Sequence, residues 1–109
     1  MSIDNVEIIP DEQIYLDELR NILKKQIGLA QQGNVNAIEA LSKQSNSLVG
    51  KIAKSGILES PEFKSQREQL RKLYQDLCLT LTTQQAENAK ELSQVRKGKK
   101  TIATYGGNI

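Results

Sequence analysis

The sequence predicts an all-α chain: an up-down-up antiparallel bundle of three helices, the last of them long. Two observations carry this. Apolar residues recur at three- and four-residue steps through most of the 109 residues, the mark of amphipathic helices. Glycine, asparagine and proline fall between those runs as start and stop signals, and the short connections they leave force neighbouring helices to run antiparallel.

Residues 1–10 read as an extended arm, because Ile3, Val6, Ile8 and Ile9 lead into Pro10, which pushes the residue before it toward extended backbone. Helix one follows over 11–32, where Ile14, Leu16, Leu19, Ile22, Leu23, Ile27 and Ala30 share a face. Gly33 closes it in the left-handed conformation, and Asn34 caps the next helix. Helix two spans 35–54 with a heptad-like seam of Ile38, Leu41, Ser45, Leu48 and Ile52, a spacing that asks for a helical partner. Ser55-Gly56 ends it and Ile57-Leu58 cross the loop. Ser60-Pro61-Glu62 then supplies an N-cap, a first-turn proline and an early acid.

Helix three is expected over 61–97, with Phe63, Leu70, Leu73, Leu77, Leu81, Leu92 and Val95 on one face. Its weak point is Thr80-Leu81-Thr82-Thr83, where β-branching and hydroxyl competition for backbone carbonyls favour a bend near Thr82. Gly98 interrupts the basic cluster, and residues 101–109 read as a tail too glycine-rich at its end to stay helical throughout. The whole is a single helical domain.

The helix lengths do not match. At 1.5 Å per residue the first two helices reach roughly 30 Å and the third about 55 Å, so the part after Leu81 overhangs. Leu81, Ala89, Leu92 and Val95, followed by Ile102 and Tyr105, then need cover. A second copy of the chain would supply it, as would a partner helix laid in the groove or a fold-back at Thr82-Thr83 that makes a fourth short helix. Gln84, Gln85 and Asn88 dilute the stripe, and a solvated helix end is the bland alternative. The candidate partner-binding residues are Leu81, Ala89, Leu92, Val95, Arg96, Lys97, Ile102 and Tyr105.

Composition argues against an enzyme. There is no His and no Trp, and Cys78 is the single cysteine, so imidazole catalysis, Cys/His zinc sites and an internal disulfide are excluded. Cys78, between Leu77 and Leu79, reads as a buried structural thiol. The pairs Asp11-Glu12 and Asp17-Glu18 suit a helix start, where acids complement the macrodipole, better than a metal or carboxylate-dyad site. No metal or cofactor is expected. No apolar run approaches the ~18 residues of a membrane span, and the start lacks the pattern of a signal peptide, which places the chain in the cytoplasm. The first 18 residues hold six acids and no base, whereas Arg96, Lys97, Lys99 and Lys100 follow the last acid, Glu91. A phosphate grip by that basic run, with Tyr105 stacking on a base, is the weaker reading, because the chain is nearly neutral at +2 and has one aromatic near the patch.

Helix two seeded by Asn34-Val35-Asn36-Ala37-Ile38, and a long helix ending in Gly98-Lys99-Lys100-Thr101-Ile102-Ala103-Thr104-Tyr105, resemble flagellar export chaperones of the FliT and FlgN kind. The likeness covers most of the chain as a pattern of helices, and the short length favours the FliT-like kind. It implies a non-enzymatic escort for the terminal helices of a late flagellar subunit, such as the filament cap or a hook-associated protein, which it passes to the export apparatus. The basic run would then touch an acidic surface of the export machinery. The rival readings are a homo-oligomeric coiled-coil module, with a possible homodimer, and a nucleic-acid binder.

Overall fold

A computed structural model describes the backbone of residues 11–83 and 89–106, and the side chains of residues 13–83 and 93–104. The expected arm, 1–10, lies outside them. The described chain is all-helical and has four helices, not three: α1 (Asp11–Gln31), α2 (Val35–Ser55), α3 (Lys64–Thr83) and α4 (Ala89–Gly106).

The α1–α2 turn follows its sequence signals closely. Gly33 takes φ +74°, the Asn34 amide donates to the Leu29 carbonyl at 2.9 Å, and the Gly33 amide donates to Ala30 at 3.0 Å. These two bonds form a Schellman closure that satisfies carbonyls left over at the helix end. Asn34 then accepts from the Ala37 amide at 3.2 Å through its side chain, capping α2. Gly56, at φ +80°, ends α2. The next start signal is displaced: Ser60 makes no side-chain cap, Pro61–Phe63 form a 3-10 turn, and the α-helix begins at Lys64.

Residues 57–63 cross one end of the bundle diagonally. Ile57 and Leu58 are buried there as a plug, and Arg67, itself buried, donates through Nη1 to the Leu58 carbonyl at 2.5 Å. Because of this crossing, α3 packs on α1 and α4 instead of beside α2, and α4 packs on α3 and α2. The ring order is α1, α2, α4, α3. Gln26 of α1 bonds to Ile38 and Ser42 of α2, and Gln66 of α3 bonds to Gln13 of α1. These pairings make α1 antiparallel to α2 and parallel to α3. Asn46 of α2 meets Gln94, and α4 reaches the 57–59 turn, so α2 and α4 are parallel as well.

The expected 61–97 helix is therefore two elements. Thr80 and Thr82 donate their hydroxyls to the Asp76 and Cys78 carbonyls at 2.8 and 2.9 Å, as Thr101 and Thr104 do to the Lys97 and Lys100 carbonyls inside α4. Helix α3 is described to Thr83, and residues 84–88, next to the bend expected near Thr82, lie outside the described residues. The overhang is replaced by α4 folded back onto the bundle. Gly98 does not interrupt it, and residues 101–106 are helical where a tail was expected.

The core joins all four helices: Leu16, Leu19 and Leu23; Ile38, Val49 and Ile52; Leu70, Tyr74, Leu77 and Leu81; Val95 and Ile102. The α2 seam is rotated from the expected one. Ser42 and Val49 are buried and Leu41 and Leu48 only half-buried, because α2 faces both α1 and α4. Replacing Leu77, fully buried, with Ala is expected to cost about 2–5 kcal/mol of unfolding free energy. Leu79→Ala, at a side chain 64% exposed, should stay within about 0.5 kcal/mol, and urea denaturation of the two variants measures the contrast.

Candidate functional site

The candidate partner-binding stripe proves to be the seat of α4. Leu81, Val95 and Ile102 are 1%, 3% and 0% exposed, enclosed within the monomer, which corrects the expectation that they lie on an uncovered overhang. The physical reason is simple: breaking the helix after Thr83 lets α4 bring Val95 and Ile102 onto the core instead of leaving them in water. Arg96 and Lys97 are exposed. Ala89, Leu92 and Tyr105 belong to α4, but their side chains lie outside the described residues.

At Gly98 the α4 backbone comes tightly against the bundle. A Cβ built there would sit 2.5 Å from Tyr74 Oη and 3.0 Å from Asn46 Oδ1, so only glycine lets α4 settle at this depth. Both of those oxygens are buried without a conventional hydrogen-bond partner. They converge on the Gly98 backbone, in the manner of weak Cα–H···O contacts between helices. One turn earlier, Asn46 Nδ2 donates to Gln94 Oε1 at 3.1 Å and ties α4 to α2.

A buried polar layer lies between α1 and α2. Gln26 Nε2 donates to the Ile38 carbonyl and to Ser42 Oγ, both at 3.1 Å, and Ser45 donates to the Ser42 carbonyl at 3.1 Å. Burial pushes the Tyr74 hydroxyl pKa well above the ordinary tyrosine value; Ser45 offsets this slightly and Cys78 adds to it. Burial also raises the Cys78 thiol, against the pull of Lys99 and Arg96, so Cys78 is a half-buried thiol rather than an activated nucleophile.

Sequence reading missed Tyr74, Asn46 and Gly98, which decide how α4 sits. The available signals were spacing, since Tyr74 lies four residues after Leu70 and three before Leu77, and an isolated glycine inside a helical run, which often has a packing reason. Arg67 gave no such signal. Among the described residues no three His, Cys, Asp or Glu side chains come together to hold a metal ion, and no helix is long and apolar enough to cross a membrane. No protein-family model, no curated protein and no solved structure matches the chain.

Helix propensity alone would have Ala stabilise either exchanged glycine by up to about 1 kcal/mol. That gain is expected at Gly50, whose Cβ would meet nothing within 4 Å, whereas Gly98→Ala is expected to destabilise by about 1–3 kcal/mol. Tyr74→Phe, which removes the nearest clashing atom, should recover most of the Gly98→Ala loss in thermal melts of the double variant. Tyr74 also predicts an alkaline limit. Below about pH 10 the hydroxyl is neutral in both states; above it only the unfolded chain ionises freely, so stability falls as pH rises. Urea midpoints measured across that range should fall less steeply for Tyr74→Phe.

Proposed function

We propose that this chain is a non-enzymatic escort of the flagellar export chaperone kind, working in the cytoplasm. It holds a helical terminus of a late flagellar subunit, a filament cap or hook-associated protein, until the subunit passes to the export apparatus. The observation that supports the reading is that three of the candidate residues meet at one seam: Leu81 of α3 is buried together with Val95 and Ile102 of α4, in the core that α4 joins by folding back. At about 1.5–3 kcal/mol per buried aliphatic side chain, Val95 and Ile102 contribute about 3–6 kcal/mol, a sum that a client helix with a few aliphatic anchors matches.

The mechanism follows from that balance. Release of α4 from the bundle opens Leu81 on α3 and the inward faces of Val95 and Ile102. A client's amphipathic helix then occupies the groove that α4 has left. The expected stripe thus becomes a competed site: α4 and the client bid for the same apolar wall.

A peptide copying the C-terminal helix of a filament cap protein tests this. Ile102→Ala weakens the seat of α4, and under competition it should tighten peptide binding severalfold in calorimetry, with faster hydrogen exchange of α4 amides in the complex. Absence of binding to both wild type and Ile102→Ala would remove the reading. A stable dimer formed by exchange of α4 between two copies, seen by light scattering at several concentrations, would favour the oligomeric alternative.

A further inference from the structure

The parallel α2 and α4 pair brings together positive charge that lies apart in the sequence. Between them these helices hold eight basic residues and two acidic ones, a net of +6 on a chain whose total is +2. The α1 and α3 pair is mixed, with seven basic and six acidic residues, some joined in pairs such as Asp17–Arg20 at 3.5 Å and Glu68–Arg71 at 3.3 Å.

The basic run at 96–100 is also divided by the fold. Arg96 and Lys99 act on Cys78, which places them toward α3. Lys97 instead lines a groove of about 170 Å³ between α4 and α2, together with Asn46, Val49, Gly50, Gly98 and Thr101. Gly50, whose Cβ would meet nothing within 4 Å, keeps that groove open, and Val49 gives it an apolar wall. Helical spacing sets Lys43 and Lys54 about one turn before and after its α2 side, and Lys100 beside Lys97 on α4. All four of these lysines are exposed, and none forms an ion pair with another described residue.

We propose that this groove binds an acidic segment of a partner protein, its carboxylates meeting Lys43, Lys54, Lys97 and Lys100 and one aliphatic side chain entering over Gly50 and Gly98. Charge complementarity selects the acidic partner. The rim is built from lysines, point charges suited to carboxylates, without the arginine forks favoured for phosphate recognition, and α2 carries no aromatic on which a base would stack. A lipid surface lacks an anchor here, since the exposed large apolar side chains among the described residues, Ile14 and Leu79, belong to α1 and α3. The proposal does not rest on the escort reading: the groove between α4 and α2 exists while α4 is seated, whereas the escort mechanism needs α4 released.

Fluorescence anisotropy with a labelled peptide of repeating Glu-Glu-Ile tests it on the full chain. Lys54→Glu combined with Lys97→Glu should weaken binding about tenfold or more, whereas Lys24→Glu with Lys72→Glu, the same charge change on α1 and α3, should alter it less than about twofold. Gly50→Leu fills the groove without touching charge and should weaken binding severalfold with the salt dependence kept. Circular dichroism melts confirm that each variant folds. Equal losses from the two charge reversals, or no effect of Gly50→Leu, would overturn the proposal. So would a single-stranded oligonucleotide or phosphatidylserine vesicles that bind more tightly than the peptide and lose affinity to the Lys54/Lys97 pair, since the face would then serve nucleic acid or lipid.

Discussion

The depth at which α4 lies against α2 and α3 governs the rest of this molecule, and a missing side chain sets it. At Gly98 the backbone of one helix comes against the hydroxyl of Tyr74 and the amide oxygen of Asn46, two polar atoms that the core leaves without ordinary partners. A larger residue would hold α4 away from the bundle, and Val95 and Ile102 would lose their packing on Leu77 and Leu81's side of the core. The same contact that closes the bundle therefore also carries a cost, since two buried oxygens are left under-satisfied there.

Local signals in the sequence were read well where the chemistry is local. Gly33 and Asn34 announce the first turn because a left-handed glycine and a capping amide act within a few residues, and the structure shows both bonds. The threonine cluster gives no comparable signal, since Thr101 and Thr104 make the same hydroxyl bonds inside α4 without ending it. What periodicity does not reveal is which apolar stripes meet. Helical spacing joined Leu77 to Val95 in one continuous face, although a chain that turns back after Thr83 satisfies the same pattern and shelters more surface. Ser60 and Pro61 gave a clear start signal that was three residues early, because the 57–63 crossing needs a tighter turn before α3 begins.

The candidate site was legible as a list of residues and not as a surface. Leu81, Val95 and Ile102 were picked for needing cover, and each is covered, but by the chain itself. Tyr74 and Asn46 were passed over because a tyrosine and an asparagine on helices carry no spacing signature of their own; their importance arises only when a third helix arrives. Gly50 and Lys97, far apart in the chain, line one groove for the same reason: α2 and α4 run side by side in the same direction, an arrangement set by the diagonal crossing and invisible to any short window.

That crossing divides the polypeptide into two consecutive halves, each an antiparallel pair closed mainly by near neighbours in sequence. Assembly can then proceed in two stages, with each pair zipping up quickly and the docking of one half on the other forming the slower step. Ile57 and Leu58, buried at the junction and held by the Arg67 guanidinium, act as the latch at which the two halves register. A newly made chain would thus have its first pair formed before the second has left the ribosome, with the lysine-rich edge of α2 waiting for α4 to complete it.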